Sequence, residues 1–257
     1  MKFFIPEPKM PTPEEHRQVA EAWLARAQST LIDQWPVEIA ELSIPTELVR
    51  IDALAAFGAI CDLMDQKPVN QWMRDLAADL DSRMGWKRWF IRLNSRSPKD
   101  NPWPFETPAT MSGKEAVMLL AGSMRIFDDL NEFRFLPEQP CYVCLREFNP
   151  KITPAGEFRC FVKDGALIAV SHYDYLRPWA GPENQGRELR GKIDAWFTER
   201  LQPHLHVKDV VFDLFIDHDG SILLIELNPY GRSDPCHFES YAAVEAASSW
   251  IEFGKKA

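Results

Sequence analysis

Residues 210–231 read VVFDLFIDHDGSILLIELNPYG and are the most informative stretch of this sequence. Two runs rich in Val, Ile, Leu and Phe flank Asp219-Gly220, and a two-residue Asp-Gly loop between apolar runs is a strong hairpin signal. With that loop, Asp213 lies opposite Glu226. Because side chains alternate between the faces of a strand, Asp213, Glu226 and Asn228 all point to one face.

These three polar residues predict a binding site. Their neighbours are mostly apolar, so the sheet is expected to be covered on both sides and the site to be partly dry. Like charges so close repel unless a positive charge lies between them. Carboxylate and amide oxygens suit Mg²⁺, which usually takes substrate phosphates as its remaining ligands. The alternative is the solvated rim of an ordinary hairpin, although the following Pro229 and Gly231 place the strand end at a sheet edge, where functional loops begin.

Length and composition favour a soluble protein with its own core. The chain has 257 residues, 46% of them hydrophobic and 12% aromatic, and a net charge of −9. That charge gives no global attraction to nucleic acid or anionic membranes, although a local basic groove stays open. No apolar run approaches the roughly 18 residues that span a bilayer, and the N-terminus lacks a signal-peptide core. A cytoplasmic location is expected.

The five cysteines do not form a disulfide pattern, so reduced thiols are expected. Cys141 and Cys144 match C-x-x-C but lie in a predicted strand, where residues three apart point to opposite faces. This spacing disfavours a redox or zinc site, and we expect both thiols to be structural.

Three helical patterns lie within about the first 85 residues. Thr12, Pro13 and Glu15 predict a capped helix to about Ala27, a second pattern covers roughly residues 48–64, and a third runs from near Asn70 to Gly85. Further on, a capping box at 112–115 starts a helix that leads into a loop ending at Pro140. Helices are also predicted over about 182–201 and 238–253.

A cationic cluster follows the predicted strand at 86–94. Arg92, Arg96 and Lys99 are close together in an otherwise acidic chain. They predict either a solvated loop or a clamp over phosphates, since Arg and Lys both bind phosphoryl oxygens. With Trp103 and Phe105 nearby, the cluster also fits a surface for a nucleic-acid backbone and bases.

Two further strands are predicted over residues 156–173, with Asp164-Gly165 as the turn between them, after an earlier strand at 142–148. Arg159 lies in the first strand of this second hairpin.

Five blocks in order, IRLNSRSPKD, CLREF, PAGEFRCFVKDGALIAVSHYDY, VVFDLF and LIELNPYG, resemble the cell division cycle protein 123 family, a branch of the ATP-grasp fold. The resemblance covers about residues 70–234. It implies an α+β ATP-grasp fold, with two lobes of antiparallel sheet that grip ATP after an N-terminal helical region. The implied ranges are 1–84 for the helical region, 85–140 for the N-lobe and 141–257 for the C-lobe with the metal site.

The resemblance also assigns roles to individual residues. It implies that Asp213, Glu226 and Asn228 bind Mg²⁺, in agreement with the hairpin pairing. Arg92 and Arg159 are expected on the phosphates as catalytic residues that neutralise charge during transfer. The expected ATP contacts are Arg92, Asn94, Cys144, Leu145, Arg146, Arg159, Asp213 and Asn228, with the backbone at 144–146 against the adenine.

Two departures from the eukaryotic members stand out. Arg92 replaces a Lys, and His172-Tyr173 replaces a Gln-Arg pair. The eukaryotic members act in assembling translation initiation factor 2. Their long acidic insertions and tail have no counterpart in this sequence.

The first functional hypothesis is an ATP-dependent ligase or phosphotransferase that activates a carboxylate or phosphate of an unidentified acceptor: a small molecule, a protein or an RNA end. The alternatives are an ATP-binding assembly factor for a protein partner, and an RNA or nucleotide-end ligase, which the net charge does not favour.

Overall fold

A computed structural model describes residues 11–101, 109–174, 185–247 and 251–252 of this chain. Short 3₁₀ turns join several of its elements, and a π-helical turn at Phe197–Leu201 follows the seventh helix. The helices and strands are α1 (Pro13–Ala27), α2 (Val37–Ala40), β1 (Thr46–Ile51), α3 (Ala53–Met64), α4 (Gln71–Met84), β2 (Trp89–Leu93), β3 (Ala109–Thr110), α5 (Gly113–Ala121), α6 (Met124–Phe133), β4 (Cys141–Glu147), β5 (Glu157–Lys163), β6 (Ala166–His172), α7 (Gln185–Trp196), β7 (Val210–Ile216), β8 (Ile222–Pro229), α8 (Tyr241–Glu245) and β9 (Ile251–Glu252).

The helix ends follow the capping residues of the sequence. Thr12 and Glu15 form the reciprocal capping box that starts α1. The Asn70 side chain accepts from the backbone N–H of Met73 at the start of α4, and Gly85 ends that helix with a φ of 56°. A left-handed φ strains other residues, which is why glycine stops a helix well. These three predicted positions are confirmed.

Two antiparallel sheets carry the fold. The first has the order β1-β4-β2-β3, and α3 to α6 supply much of the hydrophobic core on which it packs. The second has the order β8-β7-β5-β6-β9, in which β9 alone pairs in parallel, and α7 packs against one face. The predicted hairpin of β5 and β6 is confirmed, with Asp164 and Gly165 both at positive φ in the turn.

Three helical predictions are wrong. Residues 48–64 begin as a strand, because β1 pairs along β4, and the helix starts only after Asp52, whose carboxylate accepts from two backbone N–H groups. The single helix expected from residues 112–115 onward is broken at Gly122, and a second, amphipathic helix, α6, capped by Ser123, follows it. The closing helix at 238–253 is reduced to the five residues of α8, after which β9 joins the second sheet.

The first sheet also crosses both predicted domain boundaries. It takes β1 from the predicted helical region 1–84 and β4 from the predicted C-lobe 141–257. The domain ranges stay predictions. Strand β4, from the second half of the chain, pairs with β1 and β2 from the first half. None of the helices in the described ranges is long and apolar enough to cross a bilayer.

Candidate functional site

The hairpin of β7 and β8 brings the predicted carboxylates together. Asp213 pairs with Glu226, as the sequence predicted. The loop is longer than predicted, however, because the last pair before it is Ile216 with Ile222. Ile225 is an extra residue, a β-bulge, and it restores the predicted pairing from Glu226 onward.

Asp213 is held by Arg159 from the neighbouring strand β5. The two side chains form a bidentate ion pair, with both nitrogen–oxygen distances at 2.8 Å, and both are almost fully buried. Asn228 lies on the same side and directs its amide to Asp213 at 3.4 Å. Three of the predicted site residues therefore meet on the adjacent strands β5, β7 and β8 of the second sheet.

Glu226 faces the first sheet and binds two cations from it. Arg92 of β2 donates to one carboxylate oxygen at 2.7 Å, and Lys99, from the loop after β2, lies 3.4 Å from the other. Arg92 is 3% exposed, while the Lys99 side chain is 36% exposed. The site is thus built between the two sheets, and Lys99 forms its solvent-facing side.

Charge in this cluster is unevenly balanced. Three cations contact two carboxylates. Burial raises the pKa of Asp213, and Arg159 offsets this only in part. Burial would also raise the pKa of Glu226, but Lys99 and Arg92 outweigh it and hold that pKa well below its usual range. Burial would lower the pKa of Lys99, but Glu226, Tyr173 and Asp213 together outweigh it and raise that pKa, so the ammonium stays charged. The cations therefore outnumber the carboxylates that they contact.

Glu157 and Tyr173 also belong to this site, and neither was predicted. Glu157 lies two residues before Arg159, on the same face of β5, and burial raises its pKa to about 7. The hydroxyl of Tyr173 lies 2.8 Å from the Lys99 ammonium, and the Tyr173 ring lies 5.0 Å from the Arg159 guanidinium. The strand alternation that placed Asp213 would have identified Glu157 as well.

Arg146 links the sheets beside Glu226. From β4 it donates to the carbonyl of the bulged Ile225 at 2.7 Å and to the Ser43 hydroxyl at 2.6 Å, while Ser43 donates to the carbonyl of Leu224. Burial, with Arg92 nearby, lowers the pKa of Arg146 to about 10. Arg146 was predicted to contact the nucleotide, and the structure places its side chain at the junction of the two sheets.

Three other residues that were predicted to contact ATP make hydrogen bonds within the protein. Asn94 is fully buried and bonds to Asp33 and to the backbone of β4. Cys144 and Leu145 lie in the centre of the first sheet, paired with both β1 and β2. Their backbone groups belong to the sheet ladder, and their contact with adenine stays a prediction.

The predicted cationic cluster divides into two parts. Arg92 and Lys99 bind Glu226, whereas Arg96 binds Asp129 of α6. Trp103 and Phe105 lie outside the described residues. Cys141 and Cys144 are both buried.

The fold matches that of a solved protein. The structure of Cdc123 from Schizosaccharomyces pombe superposes with a TM-score of 0.72 at 20% identity, over 90% of this chain and 98% of that one. Both the α+β class and the arrangement of two antiparallel sheets preceded by helices, predicted as an ATP-grasp type, are confirmed.

The sequence agrees with the structural match. A family model described as D123 matches residues 67–249. This chain belongs to the D123 family, as the sequence motifs indicated.

Curated relatives share shorter segments with this chain. A Danio rerio protein is 30% identical over 153 residues, which are 56% of this chain and 43% of the relative. A Xenopus tropicalis protein is 40% identical over 82 residues, which are 32% of this chain and 24% of the relative. The chain spans less than half the length of each.

These relatives correct one prediction. Both are named translation initiation factor eIF2 assembly protein. The prediction of an ATP-dependent ligase is contradicted by these names, which describe assembly factors and not enzymes.

Proposed function

We propose that this protein binds ATP between its two sheets and acts as an assembly factor for a protein partner. The observation that carries the proposal is the cluster of Arg92, Lys99 and Arg159, three cations that contact two carboxylates. A group of preorganised cations, partly screened from water, is suited to a triphosphate, because charge-assisted contacts are strong in such a place.

The phosphates would take over cations that now bind carboxylates. Lys99 is the most exposed of the three and would meet an incoming phosphate first. Arg92 and Arg159 present planar guanidinium groups, which bind phosphoryl oxygens in pairs. The roles proposed for both arginines are to bind and orient phosphate.

Mg²⁺ fits the same residues as a companion of the triphosphate. Asp213, Glu226 and Asn228 offer two carboxylates and an amide oxygen, a donor set that suits this ion. In the structure, the oxygens of both carboxylates contact cations. Phosphates that engage those cations would free the carboxylates for the metal, whose charge would then offset the triphosphate. We therefore propose that metal and nucleotide bind together.

The proposed partner is a protein, because the curated relatives are named as assembly proteins of translation initiation factor eIF2. Nucleotide between the sheets would favour one arrangement of the two, and a partner that prefers that arrangement would bind more tightly. ATP would then serve as a ligand that prepares the docking surface.

Calorimetric titration with ATP in excess Mg²⁺ tests the nucleotide site. Lys99→Met removes one phosphate contact but leaves Glu226 paired with Arg92, so the fold should persist. We expect ATP binding to weaken by about tenfold, the loss of one charge-assisted contact. Lys87→Met is the matched control, since Lys87 forms an exposed ion pair with Glu147, and it should bind ATP like the wild type. Equal weakening in both variants would contradict the site.

The assembly role is tested with immobilised subunits of a eukaryotic initiation factor 2. Mg-ATP should increase capture of the wild-type protein and have a smaller effect on Lys99→Met. Steady release of ADP or AMP by the protein alone would contradict a role in which nucleotide acts as a ligand. Normal ATP binding without ATP-dependent capture would keep the nucleotide site and reject this partner.

A further inference from the structure

A cavity lies at the opposite end of β4 from Arg146. It has a volume of about 520 Å³ and is bordered by the end of β1, the start of α3 and the segment between α6 and β4. This volume is within the range of about 300–1,000 Å³ typical of ligand sites.

Hydrogen-bond donors without carboxylate partners converge on this cavity. Neither Arg50 nor Arg134 has a carboxylate within ion-pair distance among the described residues, whereas six other arginines do. Arg134 is instead stacked on Phe57 and Phe135, with its Cζ 4.0 and 4.4 Å from the ring centres. The amide nitrogen of Gln139 is buried and has no acceptor in the described part of the chain.

The lining offers little to balance these donors. Asp52 is its sole carboxylate among the described residues, and one of its oxygens already caps α3 by accepting from Leu54 and Ala55. Two guanidinium groups and a free amide therefore select an anionic, oxygen-bearing ligand. The remaining walls are largely apolar and include Leu54, which is 61% exposed.

The edge of the first sheet indicates the form of that ligand. β1 pairs with β4 on one side and, within the described residues, with no strand on the other. An unpaired edge accepts an extended segment through backbone hydrogen bonds, and β1 ends at Arg50 and Ile51 beside the cavity. Edge and cavity form one continuous surface.

We propose that this surface binds an extended segment of a protein partner, with one carboxylate in the cavity between Arg50 and Arg134 and apolar side chains against its walls. The inference stands on this cavity alone and is independent of the nucleotide site.

Arrays of seven-residue peptides test the proposal, each with a central Glu or Gln and flanking positions varied among Leu, Val, Ile, Phe, Tyr and Thr. Glu peptides should bind about tenfold more tightly than their Gln counterparts, the value of one charge-assisted contact. Arg50→Gln should remove that preference. Arg26→Gln is the matched control, because Arg26 is also exposed, lies at the end of α1 and is not among the residues that line the cavity.

Arg134→Gln should also remove the preference, and Arg50→Gln gives the decisive result if loss of the Phe57 and Phe135 stacking unfolds the Arg134 variant. Absence of binders, equal binding of Glu and Gln peptides, or full retention by Arg50→Gln would overturn the proposal. Free glutarate serves as a small-molecule control ligand. If glutarate binds as tightly as the best peptide, the proposal of an extended protein segment is overturned.

Discussion

Glu157 is the residue of the site whose charge changes near neutral pH. Burial raises its pKa from an ordinary 4.5 to about 7, and Lys99 offsets this only in part. The folded state therefore favours the protonated form. The resulting stability is complete below about pH 4.5 and is lost as the pH rises through about 7.

Glu157→Gln should remove this pH dependence. Near pH 5 the variant and the wild type should have similar free energies of unfolding, whereas at pH 8 the variant should be more stable by about 1–2 kcal/mol, after allowance for solvent screening. Urea unfolding across this range measures the difference. Glu41→Gln, at a solvent-exposed position, should show no such trend. A pH-independent difference for Glu157→Gln would contradict the burial of its carboxyl.

Glu226 reverses an expectation based on the hairpin alone. Two facing carboxylates predict that Glu226→Gln relieves repulsion and mildly stabilises a hairpin without metal. In the structure Glu226 neutralises buried Arg92 and reaches Lys99 as well. Glu226→Gln should therefore destabilise the nucleotide-free protein by about 2–3 kcal/mol, because a buried cation loses its counter-charge.

Urea unfolding at pH 7 without nucleotide measures this loss. Glu47→Gln is the control, since Glu47 forms an exposed pair with Arg83 and should cost less than about 1 kcal/mol. Equal costs for the two variants would mean that Glu226 does not hold the cations of the first sheet.

The bulge in β8 determines how the two sheets connect. Because Ile225 is extra, the ladder is interrupted there and its carbonyl accepts from Arg146 of β4. Next to it, the backbone N–H of Leu224 bonds to the carbonyl of Leu42, and Ser43 joins the same contact. One irregular point on an edge strand thus binds both the first sheet and the segment before β1.

Ser43→Ala and Arg146→Met should be coupled. Each should lower the free energy of unfolding by about 1–2 kcal/mol, and a double-mutant cycle should give a coupling energy of about 1 kcal/mol, because the two side chains share one hydrogen bond. Thr12→Ala combined with Arg146→Met is the control and should be additive within about 0.5 kcal/mol, since Thr12 caps the separate helix α1. Additivity in the first cycle would contradict the connection.

In the whole molecule, the candidate site joins the two sheets, so a ligand there should stabilise the entire fold. At an ATP concentration of about 100 Kd, Mg-ATP should add about 2.7 kcal/mol and raise the melting temperature by about 5–10 °C. ATP with a chelator should give a smaller rise, because the proposed metal would contribute to the same site.

Thermal melting measures both shifts, with adenosine as the control that lacks phosphates. An equal rise with adenosine would place the binding energy in the base and contradict the role of the cations. Absence of any response to Mg-ATP would remove the support for nucleotide binding.

The sequence by itself determined the features that depend on local periodicity and capping. The facing positions of Asp213 and Glu226, the shared face with Asn228 and the ends of α1 and α4 follow from strand alternation and from residues close in the chain. The predicted facing pair was correct although the loop was not, because the extra residue Ile225 compensates for the longer turn.

Only the tertiary structure decided which charges meet and where helical patterns end. Glu226 meets Arg92 across 134 positions of sequence and Lys99 across 127, and nothing local encodes such distances. Residues 48–51 became a strand because β4 offered a partner, so pairing overrode an apolar pattern compatible with a helix. Pairing within the first sheet and around it also engaged Asn94 and the backbone around Cys144 in structural contacts, because buried polar groups must be paired wherever the fold places them.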